Sequence, residues 1–172
     1  MDKEQLRTLQ RPLKERYRSE PQAALVTLHA EGRLDDQEVA CSVNTGRALV
    51  EAGLHPATGG TGTLACSGDM LLQALVACAG VTLRSVATSL EIPVSGAVRA
   101  EGELDFRGTM GVAADAEAPV GFRSIRLIFE LDGSATDEQL ATLMRLTERY
   151  CVVYQTLAGG VPVSVSYSSD DS

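Results

Sequence analysis

The stretch SGDMLLQALVACAGVTLRSVATSL, residues 67–90, decides the fold of this chain. Ser67 can cap a helix, and Asp69 puts a negative charge in the first turn, where it suits the helix dipole. Residues at helical spacing include Leu71, Leu75, Cys78 and Thr82. Most positions between them are also apolar, and a helix that is apolar on all sides is a buried one. The sequence therefore predicts a central helix enclosed by sheet or by a second subunit.

Further helix and strand patterns surround this segment. Residues 3–18 predict an amphipathic helix or arm, and residues 138–149, capped at Thr136-Asp137, predict a second core helix followed by a turn over 152–157. Strand patterns occupy residues 24–29, 39–43, 48–50, 97–100, 103–106, 124–131 and 162–167. The order β-β-β-α-β-β-β-α-β indicates an α+β fold in which sheet wraps around two helices.

Size and charge limit the classes of function open to this protein. A chain of 172 residues suits one compact domain, which we place at residues 21–172 behind an N-terminal helical arm at 1–20. The formal net charge of −8 argues against binding to nucleic acid, because an acidic surface repels phosphate. The one basic cluster, residues 11–18, is interrupted by acidic side chains and is interpreted as a solvated helix face.

The sequence pattern favours a cytoplasmic protein without a membrane partner. The N-terminus begins MDKE, and the longest apolar stretch, around 71–83, is shorter than the about 20 residues of a membrane span. In the cytoplasm the four cysteines, Cys41, Cys66, Cys78 and Cys151, are expected to be reduced, so that any disulfide is transient. No CxxC or HxxxH spacing occurs, and we expect neither a metal site nor a bound cofactor.

Cys78 and Cys151 differ in their predicted surroundings. Cys78 lies inside the apolar helix, where a free cysteine commonly packs as a small hydrophobic residue and where burial raises a thiol pKa. A reactive Cys78 therefore needs a cation brought from elsewhere in the fold, and arginine suits this best. Cys151 lies at the break between a helix and a turn, where a thiol can move and resolve a sulfenic acid. Packing and redox roles both stay open at this point.

Two segments resemble the cysteine segments of the OsmC/Ohr family. Residues 68–83, GDMLLQALVACAGVTL, are similar to its first-cysteine helix, and residues 147–154, TERYCVVY, to its second-cysteine segment. The resemblance extends from Ala24 onward and implies curved antiparallel sheets around two central helices in an entwined homodimer. It further implies that Cys78 is the peroxidatic nucleophile and that Cys151 is the resolving thiol. The reductant that it implies is an external dithiol, with a lipoyl-type compound as the candidate.

The other site residues implied by the resemblance match less closely. Peroxidase members use an arginine from the first hairpin, for which Arg33 is the best match and Arg47 the rival. They also use a glutamate at the start of the cysteine helix, a position that falls on Gly68 here, so Asp69 is the candidate carboxylate. A shift of one residue rotates a side chain by about 100° around the helix. Asp69 either orients the arginine or only compensates the helix dipole.

Three functions remain as hypotheses. The first is a thiol-dependent peroxidase that reduces organic hydroperoxides through a Cys78 sulfenic acid and a Cys78–Cys151 disulfide. An apolar pocket would favour alkyl or fatty hydroperoxides, because their chains gain about 25 cal/mol per Å² buried. The alternative is a non-catalytic OsmC-like protein that binds a small hydrophobic ligand at a dimer interface. The third is a structural stress protein without a redox response.

Overall fold

The computed structural model describes residues 2–20, 23, 25, 31–34, 40–44, 49–111 and 118–167. Five α-helices and five strands lie in these ranges, with a short 3₁₀-helix at Pro56–Thr58. They are α1 (Lys3–Ser19), β1 (Glu31–Leu34), β2 (Ala40–Asn44), β3 (Leu49–Gly53), α2 (Ser67–Leu90), β4 (Val94–Leu104), α3 (Phe106–Thr109), β5 (Phe122–Gly133), α4 (Asp137–Tyr150) and α5 (Val152–Gly159). This mixture of helices and antiparallel strands confirms the predicted α+β class.

The strands form two antiparallel sheets. One has the order β1-β2-β3, and the other pairs β4 with β5 in a long ladder from Val94 opposite Gly133 to Leu104 opposite Phe122. Gly96 has a φ of +130°, and a Cβ on it would lie 2.0 Å from the carbonyl oxygen of Glu130. Only glycine fits this close approach of the two strands.

The core lies between α2, α4 and the β4–β5 sheet. Its buried side chains are Leu83, Ala87, Ile92, Val94 and Leu143. Phe129 and Leu131 pack against this cluster from β5, while Glu130 between them is exposed, as the two-residue period of a strand requires. The same helix–sheet layer positions the middle of α2 against the end of α4.

α1 packs on α2 and carries its own capping signals. Asp2 and Gln5 form a reciprocal capping box at its start, and Lys3 forms a 2.7 Å salt bridge with Glu91 at the end of α2. The apolar side of the amphipathic helix predicted over residues 3–18 is only partly packed, because Leu9 is 59% exposed and Leu13 is 47% exposed. One flank of α1 is therefore apolar and uncovered in this chain.

Three local predictions around the helices were wrong. Ser67 does not cap α2: backbone hydrogen bonds of Ala65 with Glu51 and Gly53 keep the chain extended as far as Cys66, which takes the N-cap position. Residues 152–157 form helix rather than turn, because Cys151 is extended and its carbonyl starts a new helix by accepting from Gln155. The apolar run at 71–83 lies in a 24-residue helix that has the length and composition of a membrane span, although packing as a core helix satisfies the same test.

Two strand predictions also need correction. Residues 97–100 and 103–106 are not separate strands, because β4 runs unbroken to Leu104 and Asp105 then caps α3. Residues 162–167 pair with no described strand, so their alternating pattern lacks the partner that a strand requires. The predicted strand at 24–29 lies outside the described residues except for residue 25.

Candidate active site

The structure brings together two thiols that lie about 70 residues apart in the sequence. Cys78 lies midway along α2, and Cys151 is the single residue, in an extended conformation, between α4 and α5. Both are free thiols, Cys151 being 1% exposed and Cys78 partly exposed. α2 packs against both α4 and α5. The Cys151 side chain lies near enough to Cys78 to help lower the pKa of the Cys78 thiol. A disulfide between them would join the centre of the core helix to the α4–α5 junction.

The surroundings of Cys78 favour its thiolate. Partial burial raises its pKa, but the backbone N–H of Val153, the thiol of Cys151, the backbone N–H of Val152 and the hydroxyl of Thr82 together lower it below the ordinary value. Val152 and Val153 are the first two residues of α5, whose N–H groups have no partner within the helix. The N-terminus of α5 thus provides an anion site for the Cys78 sulfur.

The pKa of Cys151 shifts in the opposite direction. Burial raises it most, the hydrogen bond to Cys78 and the negative charge there raise it further, and the backbone N–H groups of Tyr154 and Val153 only partly offset this. The Cys78 thiol therefore ionises at a lower pH than the Cys151 thiol. Two neighbouring titratable groups with pKa values moved apart are the arrangement that separates a nucleophile from its proton donor.

The sequence patterns predict an arginine near Cys78 and give no role to the backbone amides of α5. The signal was present: residues 152–158 contain neither glycine nor proline, and they follow a residue that ends α4. The side chain of Arg33 and the whole of Arg47 lie outside the described residues, so their roles stay predictions. Asp69 is exposed and nine residues before Cys78, about 13 Å away along the helix axis.

Gly68 is half-buried at the start of α2. A Cβ at this position would lie 3.5 Å from both Leu104 Cδ1 and Phe122 Cζ and 3.6 Å from Cys66 Sγ, which is ordinary van der Waals contact. The acidic group at the start of α2 is instead Asp69, on the exposed side.

Two cavities are lined by residues of the helices that carry the thiols, although neither cavity is lined by Cys78 or Cys151. One of 400 Å³ includes Leu75, Phe122 and Leu157, with Tyr154 beside them. The other, of 570 Å³, includes Thr82, one turn after Cys78, and Tyr150, the neighbour of Cys151.

Two further polar side chains, those of Thr147 and His55, have surroundings typical of structural residues. Thr147, one turn before Cys151, is 1% exposed, and its hydroxyl has no hydrogen-bond partner among the described residues. His55 stacks on Phe106 with ring centroids 4.7 Å apart, and its Nδ1 accepts from the N–H of Ala57. No group of three or more metal-binding side chains occurs in the described ranges.

Comparison with known proteins places this geometry in a family context. The family model described as OsmC-like protein matches residues 60–166, more than half of the chain and including both cysteines. No curated protein sequence matches significantly.

Solved structures give the same result for the fold. The chain resembles an OsmC-like protein from Mycoplasma pneumoniae with a TM-score of 0.64 and 17% identity, covering 78% of this chain and 89% of that one. It resembles an organic hydroperoxide resistance protein OsmC from Legionella pneumophila with a TM-score of 0.60 and 18% identity, covering 79% and 92%. For the organic hydroperoxide resistance protein OhrB of Bacillus subtilis the TM-score is 0.52, the identity 18% and the coverage 80% and 94%.

Proposed function

Because this chain belongs to the OsmC-like protein family, we propose that it is a thiol-dependent peroxidase that reduces organic hydroperoxides. One observation carries the proposal: a partly exposed Cys78 with a lowered pKa faces a buried Cys151 with a raised pKa. The similar structures from Legionella pneumophila and Bacillus subtilis are named organic hydroperoxide resistance proteins, which supports the same substrate class.

The proposed reaction begins at the Cys78 sulfur. The thiolate attacks one peroxide oxygen of ROOH, the O–O bond breaks, and the alkoxide leaves and takes up a proton to become ROH. Cys78 is oxidised to a sulfenic acid. The N–H groups of Val152 and Val153 stabilise the thiolate before attack, so that the nucleophile ionises at a lower pH than an ordinary thiol.

The second step uses Cys151. Its thiol attacks the sulfenic sulfur of Cys78, a disulfide forms, and water leaves with the sulfenic oxygen. An external dithiol, for which we propose a lipoyl-type compound, then reduces the disulfide and restores both thiols. Cys151 is buried and carries its proton until this stage, so it does not compete with Cys78 for peroxide.

Other parts of the assignment extend the family resemblance to the whole enzyme. We assign Arg33 as the cation that approaches Cys78, with Arg47 as the rival, and Asp69 as the carboxylate that orients it. The active enzyme is proposed to be a cytoplasmic homodimer, whose second subunit covers the uncovered flank of α1, where Leu9 is exposed. The OsmC-like fold itself is that of a soluble protein.

Steady-state turnover tests the proposal. Wild-type protein is expected to consume cumene hydroperoxide in the presence of dihydrolipoamide. Cys78→Ser should abolish turnover, and Cys151→Ser should remove turnover by the dithiol while still allowing one equivalent of peroxide to react. Cys66→Ser is the matched control, because Cys66 is a free, half-buried thiol at the start of the same helix. Equal activity of wild type and Cys78→Ser would leave a ligand-binding protein as the better account.

A further inference from the structure

A threonine lies one helical turn from each of the two thiols. Thr82 follows Cys78 by four residues on α2, and Thr147 precedes Cys151 by four residues at the end of α4. Side chains four residues apart on an α-helix lie on the same face. The hydroxyl of Thr82 helps to lower the pKa of the Cys78 thiol. Thr147 has the same spacing from Cys151, but its hydroxyl has no hydrogen-bond partner among the described residues.

The backbone keeps the geometry of α4 as far as the Cβ atom of Cys151. The N–H of Cys151 donates to the carbonyl oxygen of Thr147 over 2.9 Å, and its φ of −75° is close to the helical value of about −63°. Only its ψ of 108° departs from a helix, and this angle redirects the chain that follows without moving the Cβ atom. Because a Cβ atom on a helix tilts towards the N-terminus of the helix, the Cys151 side chain begins over Thr147.

Thr147 lies in the buried interface between α4 and α2. Leu143, Thr147 and Cys151 follow one another at intervals of four residues and are each at most 1% exposed, and Leu143 belongs to the core cluster shared with α2. Burial alone is typical of a structural residue, whereas a buried hydroxyl without a partner is not, because losing water without gaining a hydrogen bond is costly. Threonine adopts two χ1 rotamers in a helix, so that rotation about one bond can aim the hydroxyl at Cys151.

The proposed reaction creates a need for a hydrogen-bond donor at Cys151. A thiol is a weak acceptor, but Cys151 attacks the Cys78 sulfenic acid as a thiolate. Burial raises the pKa of Cys151 most, and this contribution remains after the negative charge of Cys78 has been lost to oxidation. The backbone N–H groups of Tyr154 and Val153 oppose it. A hydroxyl on α4 would stabilise the thiolate further, because hydrogen bonds to charged groups are the strong ones.

The ionisable groups near Cys151 lie on three helices. Cys78 on α2 is the side chain with the largest effect on its pKa. Tyr154, half-buried on α5, acts on it through its backbone N–H. Water and salt screen the side chains of three exposed residues that precede it on α4, which are Glu148, Arg149 and Tyr150. On the buried face of α4, Thr147 is therefore the side-chain donor next to Cys151.

We propose that Thr147 is a further catalytic residue, whose hydroxyl donates a hydrogen bond to the Cys151 sulfur while Cys151 attacks the sulfenic sulfur of Cys78. The inference rests on the proposed function and assigns a group to its second step alone. In that step the S–S bond forms, the S–O bond of the sulfenic acid breaks, and the proton given up by Cys151 leaves with the sulfenic oxygen as water. Thr147 keeps its own proton, and the attack of Cys78 on peroxide proceeds without it.

Rapid-quench mass spectrometry tests the assignment, because it separates the two steps. After one equivalent of cumene hydroperoxide, the Cys78 sulfenic acid adds one oxygen to the protein mass, whereas the disulfide removes two hydrogens. Thr147→Val keeps the shape of the side chain without the hydroxyl. It is expected to slow disulfide formation about five- to twenty-fold at neutral pH and to leave sulfenic acid formation unchanged. The midpoint of the pH profile for disulfide formation should rise by about one unit, since a tenfold change corresponds to one pKa unit.

Two variants serve as controls. Thr147→Ser keeps the hydroxyl and should keep the wild-type rate and midpoint. Thr142→Val removes a threonine hydroxyl five residues earlier on α4, about 140° around the helix from Thr147, and should change neither. Equal losses in Thr147→Val and either control, or a loss in Thr147→Val with an unshifted midpoint, would overturn the role of the hydroxyl.

A titration without peroxide separates this inference from the peroxidase proposal. In protein carrying Cys41→Ser, Cys66→Ser and Cys78→Ser, the ultraviolet absorbance of the thiolate follows Cys151 alone, after subtraction of the same titration with Cys151→Ser added. Thr147→Val should raise the Cys151 midpoint by about one pH unit. A raised midpoint, in a protein whose wild type shows no peroxide turnover, would keep the hydrogen bond to Cys151 and reject the proposed function. Turnover in wild type, with equal Cys151 midpoints with and without Thr147→Val, would keep the peroxidase and reject the role of Thr147.

Discussion

Val152→Pro isolates the contribution of one α5 amide to the reactivity of Cys78. Val152 is the first residue of α5, and its N–H is one of the groups that lower the pKa of Cys78. Proline is well tolerated at this position of a helix because the N–H it lacks has no intrahelical partner. The preceding Cys151 has φ −75° and ψ 108°, an extended conformation that a following proline accepts. The substitution therefore removes the amide hydrogen and keeps the helix.

The expected size of the effect follows from the exposure of the sulfur. A hydrogen bond to a charged group contributes about 1.5–3 kcal/mol when well formed, or about one to two pKa units. Cys78 is partly exposed, and water replaces part of the lost interaction. We expect a rise of about 0.5–1 pKa unit and, at a pH below the pKa, a roughly three- to tenfold smaller thiolate fraction.

The assay measures the rate at which iodoacetamide alkylates the protein as a function of pH. All variants also carry Cys66→Ser and Cys41→Ser, and peptide mapping follows the alkylation of Cys78 alone. Val152→Pro should move the midpoint upward and leave the high-pH plateau unchanged, because the thiolate itself remains accessible. Val152→Ala is the control: it removes a 70%-exposed side chain and keeps the N–H. An unshifted midpoint in Val152→Pro, or an equal shift in Val152→Ala, would refute the role of the α5 amides.

Three other outcomes are expected from single substitutions. Gly96→Ala should lower the free energy of unfolding by about 2–3 kcal/mol in urea titrations, because of backbone strain and overlap with the facing strand. Gly121→Ala is the control and should change the free energy of unfolding little, because nothing lies within 4 Å of the added carbon. Thr147→Val should leave stability unchanged or raise it by about 1 kcal/mol, since the buried hydroxyl has no described partner to lose; a large loss would reveal one. The hydrogen bond from Arg107 lowers the pKa of Asp105 to about 2, so the pair stabilises the fold above the ordinary carboxyl pKa and this contribution is lost as pH falls towards 2. Arg107→Gln should raise the Asp105 midpoint, followed by NMR, part of the way towards the usual range, because the backbone N–H of residue 107 still donates to Asp105. An unchanged midpoint would contradict this assignment.

Much of the fold could be predicted because its main signals are local. The apolar period of residues 67–90, the capping threonine before α4 and the alternation in β5 each lie within one segment, and each produced the expected element. The errors arose where a neighbouring segment decides the conformation. Ser67 lost the capping position because the strand pairing of Ala65 extends to Cys66, an interaction that no local pattern encodes.

The candidate site could be predicted only in part. The resemblance pointed to Cys78 and Cys151, but the residue patterns could not bring two thiols together across about 70 residues of chain. Nor could they reveal the electrostatics, because the N–H groups that favour the Cys78 thiolate belong to the backbone and depend on where α5 begins. The sequence shows which residues are arginines. It does not show which helix N-terminus packs against a thiol, and only such packing makes the N-terminus an anion site.

Mass mapping after a single oxidation event tests the central claim most directly. One equivalent of cumene hydroperoxide is added to fully reduced protein, the remaining thiols are blocked, and the peptides are analysed without reduction. The account predicts the loss of two thiols per peroxide and one linked peptide pair that joins Cys78 to Cys151, with Cys66 still free. An unmodified Cys78, or a disulfide that excludes Cys151, would contradict it.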